Sequence, residues 1–222
     1  MRRPSVLVFD VNETLLDLSP LAADFEAMFG AAQPLGEWFA RMLHGSLVSN
    51  HLDSYRPFGA IGAEALLIVA GKRNVEISEN QAAAVVAGMA DLPAHPDVIP
   101  ALERLVDAGF RTVTLTNGST RAANAQIENA DLRVFFEKVI SVEEVGRFKP
   151  DPLPYRHAAD LMDVGIDQTM MIAAHDWDVA GALHAGAQAA YVSRPSAVWS
   201  LPDDLPEVTA TDLGGIADLL IR

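Results

Sequence analysis

The run Val6-Leu7-Val8-Phe9 ends abruptly in Asp10, and a short polar turn containing Thr14 follows it. An apolar run of this kind reads as a buried parallel strand that carries a carboxylate to its C-terminal end. Such a carboxylate can be a nucleophile, a metal ligand or a helix cap. Three other polar points recur further along the chain: Thr116-Asn117-Gly118, Lys149 ahead of Pro150, and His175-Asp176-Trp177-Asp178. The C-terminal ends of such strands are where open α/β sheets put their chemistry. Each point also has a plain reading, since Asp178 could cap a helix, Thr116-Asn117 could be an ordinary turn and Lys149 a surface lysine.

These residues matter together only if the intervening elements bring them to one place. After the first strand, Ser19-Pro20 starts a helical pattern that stops at Gly30. A second stretch sets Leu35, Trp38, Phe39, Met42, Leu43 and Leu47 on one face, with Arg41 at the edge of that stripe. A third helix is expected over 60–69, and a fourth is capped by Ser78. No strand candidate interrupts this block, which closes at the proline-containing linker 91–96. From Asp97 helices and strands alternate, with strands expected at 110–115, 138–141, 170–174, 189–192 and 207–209. Repeated βα units imply a parallel sheet with right-handed crossovers. The expected architecture is therefore α/β: a doubly wound, Rossmann-like parallel sheet from residues 1–15 and 95–222, with an inserted helical cap at 16–94. An insertion after the first strand overhangs the C-terminal strand ends and can close a site against water.

Composition narrows the chemistry. The 222 residues include no cysteine, so thiolate catalysis, disulfides and thiolate-bound metals are excluded. A net charge of −14 argues against nucleic acid as a partner. It also means that a small anionic substrate would be repelled at long range and would need cations within its site. No apolar run approaches a membrane span, and the N-terminal residues pass directly into a strand pattern, so no membrane association and a cytoplasmic location are expected.

Taken in order, Phe9-Asp10-x-x-x-Thr14-Leu15, Thr116-Asn117-Gly118, Lys149-Pro150-Asp151-Pro152 and Asp178-x-x-Gly181-Ala182 resemble the motifs of the haloacid dehalogenase superfamily. The resemblance covers essentially the whole chain, including the early helical insertion. Superfamily phosphatases resemble Asp-x-Asp at the first motif and carry a further acid four residues before the one matched by Asp178. This chain has Asn12 and Ala174 at those positions. Asn12 cannot donate an acidic proton, and losing a carboxylate ligand weakens a magnesium site. Halide departure requires neither a proton nor a metal, so the L-2-haloacid dehalogenase branch is the better match, and no cofactor is called for.

That resemblance implies that Asp10 attacks the carbon bearing the halogen and forms an aspartyl ester, that Lys149 keeps Asp10 ionised, and that Asp178 is the base for ester hydrolysis. It implies Arg41 and Asn117 on the halide, Thr116 as a donor to the substrate carboxylate, Thr14 and Tyr155 as orienting or lining groups, and Trp177 as a wall. Where the family has an aromatic residue and an asparagine, this chain has Asn12 and His175, both expected to contact substrate or halide. The partners implied are a short anionic (S)-2-haloacid and the released halide, with a homodimer as the oligomeric expectation. A magnesium-dependent phosphatase and a catalytically silent binding protein on the same scaffold stay open as alternatives.

Overall fold

The computed structural model describes residues 2–195 and 197–222. Its strands are β1 (Val6–Phe9), β2 (Arg111–Thr116), β3 (Lys138–Ser141), β4 (Thr169–Ala173), β5 (Gln188–Val192) and β6 (Val208–Ala210). They pair in parallel in the order β3-β2-β1-β4-β5-β6. The α-helices are α1 (Ala22–Phe29), α2 (Pro34–His51), α3 (Phe58–Lys72), α4 (Glu79–Gly88), α5 (Val98–Asp107), α6 (Thr120–Asn129), α7 (Pro152–Leu161), α8 (Asp176–Ala185) and α9 (Leu213–Ile221). This is the doubly wound α/β sheet expected from the alternation of patterns.

The central strands are apolar on both faces because the crossover helices cover both sides of a parallel sheet. Val6, Leu7, Val8 and Phe9 are all buried, as are all five residues of β4. Helix α5 shows the complementary pattern, burying Val98, Ala101, Leu102 and Leu105 at helical spacing. The strand order reverses between β1 and β4, and ligands of open α/β sheets bind at the C-terminal ends beside such a reversal. Asp10 and His175 flank that point.

Between β1 and α5 the chain forms helices α1 to α4. It leaves and re-enters the core side by side: the Asp17 N–H donates to Pro93 O and the His95 N–H to Leu15 O, both at 2.9 Å, with Leu16 bridged antiparallel to Ala94. The four helices pack around fully buried Trp38, whose indole Nε1 donates to Gly62 O at 2.8 Å, in a hydrophobic core continuous with that of the sheet. Ser78 caps α4 with a reciprocal bond pair to Gln81.

Two helix starts matter for the site. Helix α7 starts at Pro152, because the Asp151 carboxylate accepts the Leu153 N–H at 2.9 Å and a first-turn proline has no N–H to satisfy. Helix α8 starts at Asp176, since His175 is extended and its carbonyl already accepts the Val179 N–H. Asp178 therefore lies in the first turn of a helix rather than in a loop ahead of it. Among the described residues no helix is long and apolar enough to cross a membrane.

Candidate active site

Lys149 is the hub. Its side chain is 1% exposed, and its Nζ donates to Asp10 Oδ1 at 2.8 Å, Asp178 Oδ2 at 2.6 Å and Leu115 O at 2.9 Å. An ammonium has three hydrogens, so all of them are used. The loop that carries it is fixed from both layers of the molecule. In the core, Asn117 Oδ1 accepts the Lys149 N–H at 3.0 Å. From α2, Asn50 clasps Phe148 reciprocally, giving its Nδ2–H to Phe148 O at 2.7 Å and taking the Phe148 N–H at 2.9 Å. The Phe148 ring lies against Tyr55 and Phe58, so the lysine loop is wedged under the cap.

The other Asp10 oxygen has a different set of partners. Oδ2 accepts the Thr14 hydroxyl at 2.7 Å and lies 3.2 Å from His175 Nδ1. Thr14 Oγ1 itself accepts the Ala174 N–H at 2.9 Å and, because an ionised carboxylate only accepts, gives its own hydrogen to Asp10. His175 Nε2 lies 2.9 Å from Glu13 Oε2. Asp178 is held in turn by the Tyr155 hydroxyl, which donates to Oδ1 at 2.7 Å. Gly181 lets α8 approach this far: a Cβ there would stand 2.4 Å from Pro150 Cβ and 2.6 Å from the Tyr155 hydroxyl.

Electrostatics separates the two carboxyls. Burial pushes Asp10 upward, but the Lys149 charge and the His175 hydrogen bond and charge outweigh it, holding Asp10 well below the usual carboxylate range. Asp178 goes the other way, because burial and the neighbouring Asp10 charge exceed the pull of Lys149. Burial lowers Lys149, yet the two carboxylates hold it above its ordinary value. Burial also raises Tyr155, and the adjacent Asp178 raises it further, so it remains a phenol and a donor. An anion at Asp10 beside a proton-seeking carboxyl at Asp178 is the pairing that a nucleophile and a general base require.

The structure brings Asp10, Thr14, Lys149, Asp178, Tyr155, Thr116, Asn117 and His175 together at the strand ends. Some of them do other work than their types suggested. Thr116 Oγ1 accepts the Gly118 N–H at 3.2 Å, and Asn117 uses its carbonyl to anchor Lys149, which leaves the amide hydrogens of Asn117 for a ligand. Tyr155 orients Asp178. Asn12 is oriented by Gln126, whose Nε2 donates to Asn12 Oδ1 and to Met89 O, each at 2.9 Å. Asn12 thereby lines a cavity of about 400 Å³ between the layers, along with Met42, Phe58 and Arg121. Trp177 stacks on His175 with ring centroids 5.2 Å apart. With Leu43, Leu47 and Lys149 it also lines an apolar opening of about 220 Å³.

Arg41 is not in this group. It lines a separate groove between α2 and α3 with Arg56 and Glu64. The α2 residue that reaches the site is Phe39, whose ring stacks on His175 at 6.1 Å. Two residues along an α-helix correspond to a rotation of about 200°, so Arg41 and Phe39 point to nearly opposite sides. The cation expected from the cap is therefore absent from the Asp10 pocket. Arg41→Ala is accordingly expected to leave turnover within about twofold of the native rate, as an outlying surface substitution should; steady-state halide release would check it.

Glu13 was not indicated by the sequence. It adopts a left-handed backbone, φ 61°, which is uncommon for a glutamate, and no neighbouring residue type announces it. Its N–H donates to Leu16 O at 2.9 Å, and His95 Nε2 lies 3.2 Å from its carbonyl, so the turn that presents Glu13 to His175 is fixed on both sides.

Comparison with known proteins places this arrangement. The family model for haloacid dehalogenase-like hydrolases matches residues 4–186. An (S)-2-haloacid dehalogenase of Pseudomonas putida is 28% identical over 97% of this chain and 97% of its own length. A haloacetate dehalogenase of Moraxella sp. is 24% identical over 99% of both. A solved L-2-haloacid dehalogenase of Xanthobacter autotrophicus, with chloropropionic acid covalently bound, superposes with a TM-score of 0.91 at 24% identity over 98% of both chains.

Proposed function

We propose that this chain, which belongs to the haloacid dehalogenase-like hydrolases, hydrolyses short (S)-2-haloacids to 2-hydroxy acids through an ester on Asp10. The observation that carries the reading is the Lys149 ammonium bonded to both Asp10 and Asp178 in a buried site. It keeps one carboxylate charged for attack and leaves the other able to accept a proton.

The hydrogen bonds suggest which oxygen attacks. Oδ2 of Asp10 takes two donors and Oδ1 takes one, so the free in-plane lone pair belongs to Oδ1. Attack by Oδ1 on C2 forms the C–O bond as the carbon–halogen bond breaks, and the halide leaves with the bonding pair. The amide hydrogens of Asn117 and Asn12 are the neutral donors available to it. Water then adds to Cγ of Asp10 and gives its proton to Asp178. Collapse breaks the Cγ–Oδ1 bond, the departing alkoxide takes a proton from Lys149, which recovers one from Asp178, and the Asp10 acid so formed releases the remaining water proton to solvent as its carboxylate is restored. The product hydroxyl therefore carries an Asp10 oxygen, and water replaces it. Asp10, Thr14, Lys149 and Asp178 are the groups at the reacting atoms. Trp177, Thr116 and Tyr155 complete the walls and hold the machinery in place. A cytoplasmic location is part of the same reading.

Halide release from 2-chloropropionate and from fluoroacetate, with and without EDTA, tests this against hydrolysis of a generic phosphate ester. Chelator-insensitive halide release is expected. Magnesium-dependent phosphate release with no halide would overturn it.

A further inference from the structure

Ester hydrolysis places a negative charge on the Asp10 oxygen that did not attack, and the structure surrounds that oxygen with donors. Thr14 Oγ1 is 2.7 Å from Oδ2 and donates to it, because an ionised carboxylate only accepts; the same hydroxyl is anchored by accepting the Ala174 N–H. The second neighbour is His175 Nδ1 at 3.2 Å. Its other ring nitrogen faces Glu13 Oε2 at 2.9 Å. Ionised carboxylates only accept hydrogen bonds, so an imidazole between two of them is satisfied on both sides only when both nitrogens carry a proton. The ring is also clamped flat between Phe39 and Trp177, with centroids 6.1 and 5.2 Å away. We propose that His175, held as the imidazolium by Glu13, forms with Thr14 an oxyanion hole at Asp10 Oδ2 that serves the ester-hydrolysis half of the reaction. This rests on the haloacid reading above and assigns a step within it.

The groups around the ring account for its charge. Asp10 comes from the end of β1 and Glu13 from the turn after it. Phe39 comes from α2 and Trp177 from the first turn of α8. Arg194, from the segment after β5, lines the same cavity as Glu13 and His175 but is bonded to Asp97 and to Thr14 O. Lys149 lies on the far oxygen of Asp10. Burial alone would lower the imidazole, but its bonds to Asp10 and Glu13 raise it to about 10. When Asp10 is an ester, Glu13 alone supplies the charge that keeps the second proton, and loss of that proton makes the hole neutral. During alkylation the imidazolium adds nothing, since it draws charge away from the nucleophile. During hydrolysis the same contact stabilises the charge as it develops. Glu13 touches no reacting atom and acts through His175 as a positioning residue.

Rapid-quench measurement of chloride from 2-chloropropionate, paired with intact-protein mass, separates the two halves. For His175→Gln a burst of about one chloride per site is expected at near-native rate, followed by turnover slowed about 10²-fold, the usual effect of removing one oxyanion donor. The adduct of substrate less chloride on Asp10 should accumulate in the same samples. Glu13→Gln should move the alkaline fall in turnover to a lower pH, because a partner that raises the imidazole has lost its charge. Glu13→Asp should restore most of the native profile. Equal slowing of burst and turnover in His175→Gln, or an unmoved profile in Glu13→Gln, overturns the hole while leaving the nucleophile in place. Native protein that yields neither halide nor adduct overturns the haloacid reading and the hole with it.

Discussion

Asp10→Asn is expected to release no halide above background, a loss on the order of 10⁴-fold or more, since on the proposed ester route it removes the attacking carboxylate. The fold should survive, because an amide has the same shape and its one carbonyl oxygen can still accept from Lys149. The companion experiment is a single turnover of native protein in ¹⁸O-water. Label should appear first in the Asp10 side chain and not in the product, because the product leaves with the oxygen that attacked. Label in the first-turnover product would mean that water attacks the substrate directly, and normal activity in Asp10→Asn would say the same.

Lys149→Met should be the most damaging substitution for folding as well as for turnover. It removes the one cation shared by two buried carboxyls. Breaking a buried pair by deleting one partner costs roughly 3–5 kcal/mol, because the remaining charge is left uncompensated. In the native protein the Asp10 pKa is depressed. Its contribution to stability is thus present above the unfolded carboxylate value and is lost as pH falls toward the folded one. In Lys149→Met the sign reverses: burial and mutual repulsion now raise at least one carboxyl above its unfolded value. That penalty operates at neutral pH and fades on acidification, when the group takes a proton. Urea unfolding of the two proteins between pH 4 and pH 8 should show a gap that narrows toward pH 4. A gap of constant size would assign the cost to lost packing.

The parts of the site readable from sequence were those in which residue type and element boundary coincide. Asp10, Asn117 and the 175–178 segment each follow an apolar strand, and Lys149 precedes a proline in a loop after β3, so each could be placed at the C-terminal edge of a parallel sheet before any coordinates. The parallel sheet and the helical excursion after β1 followed from the change in periodicity at Asp97. What failed was phase on a helix. Arg41 lies beside the apolar stripe of α2, and at 100° per residue a shift of two positions moves a side chain from the site to the opposite side. Phe39 looked like ordinary core and is instead the wall on which His175 stacks. Glu13 had no local signature at all, since its role depends on a left-handed backbone and on an imidazole 162 residues away. Asp178 was legible as a residue type but not as a first-turn helical residue, because the start of α8 is set by the extended conformation of His175.

The paired crossings at Leu15–Asp17 and Pro93–His95 have a consequence for how this scaffold can change. Everything between them leaves and returns through one doorway of two backbone hydrogen bonds and a single bridge. To the sheet, the four helices are a long closed loop, and lengthening or exchanging such a loop adds little closure entropy, since each doubling costs only about 0.6 kcal/mol. The carboxylates and the lysine stay on the strand side of the doorway, whereas Phe39, Met42 and Asn50 lie beyond it. One contiguous segment can therefore be exchanged without rethreading the chain or displacing Asp10, provided the Asn50 clasp on Phe148 is kept.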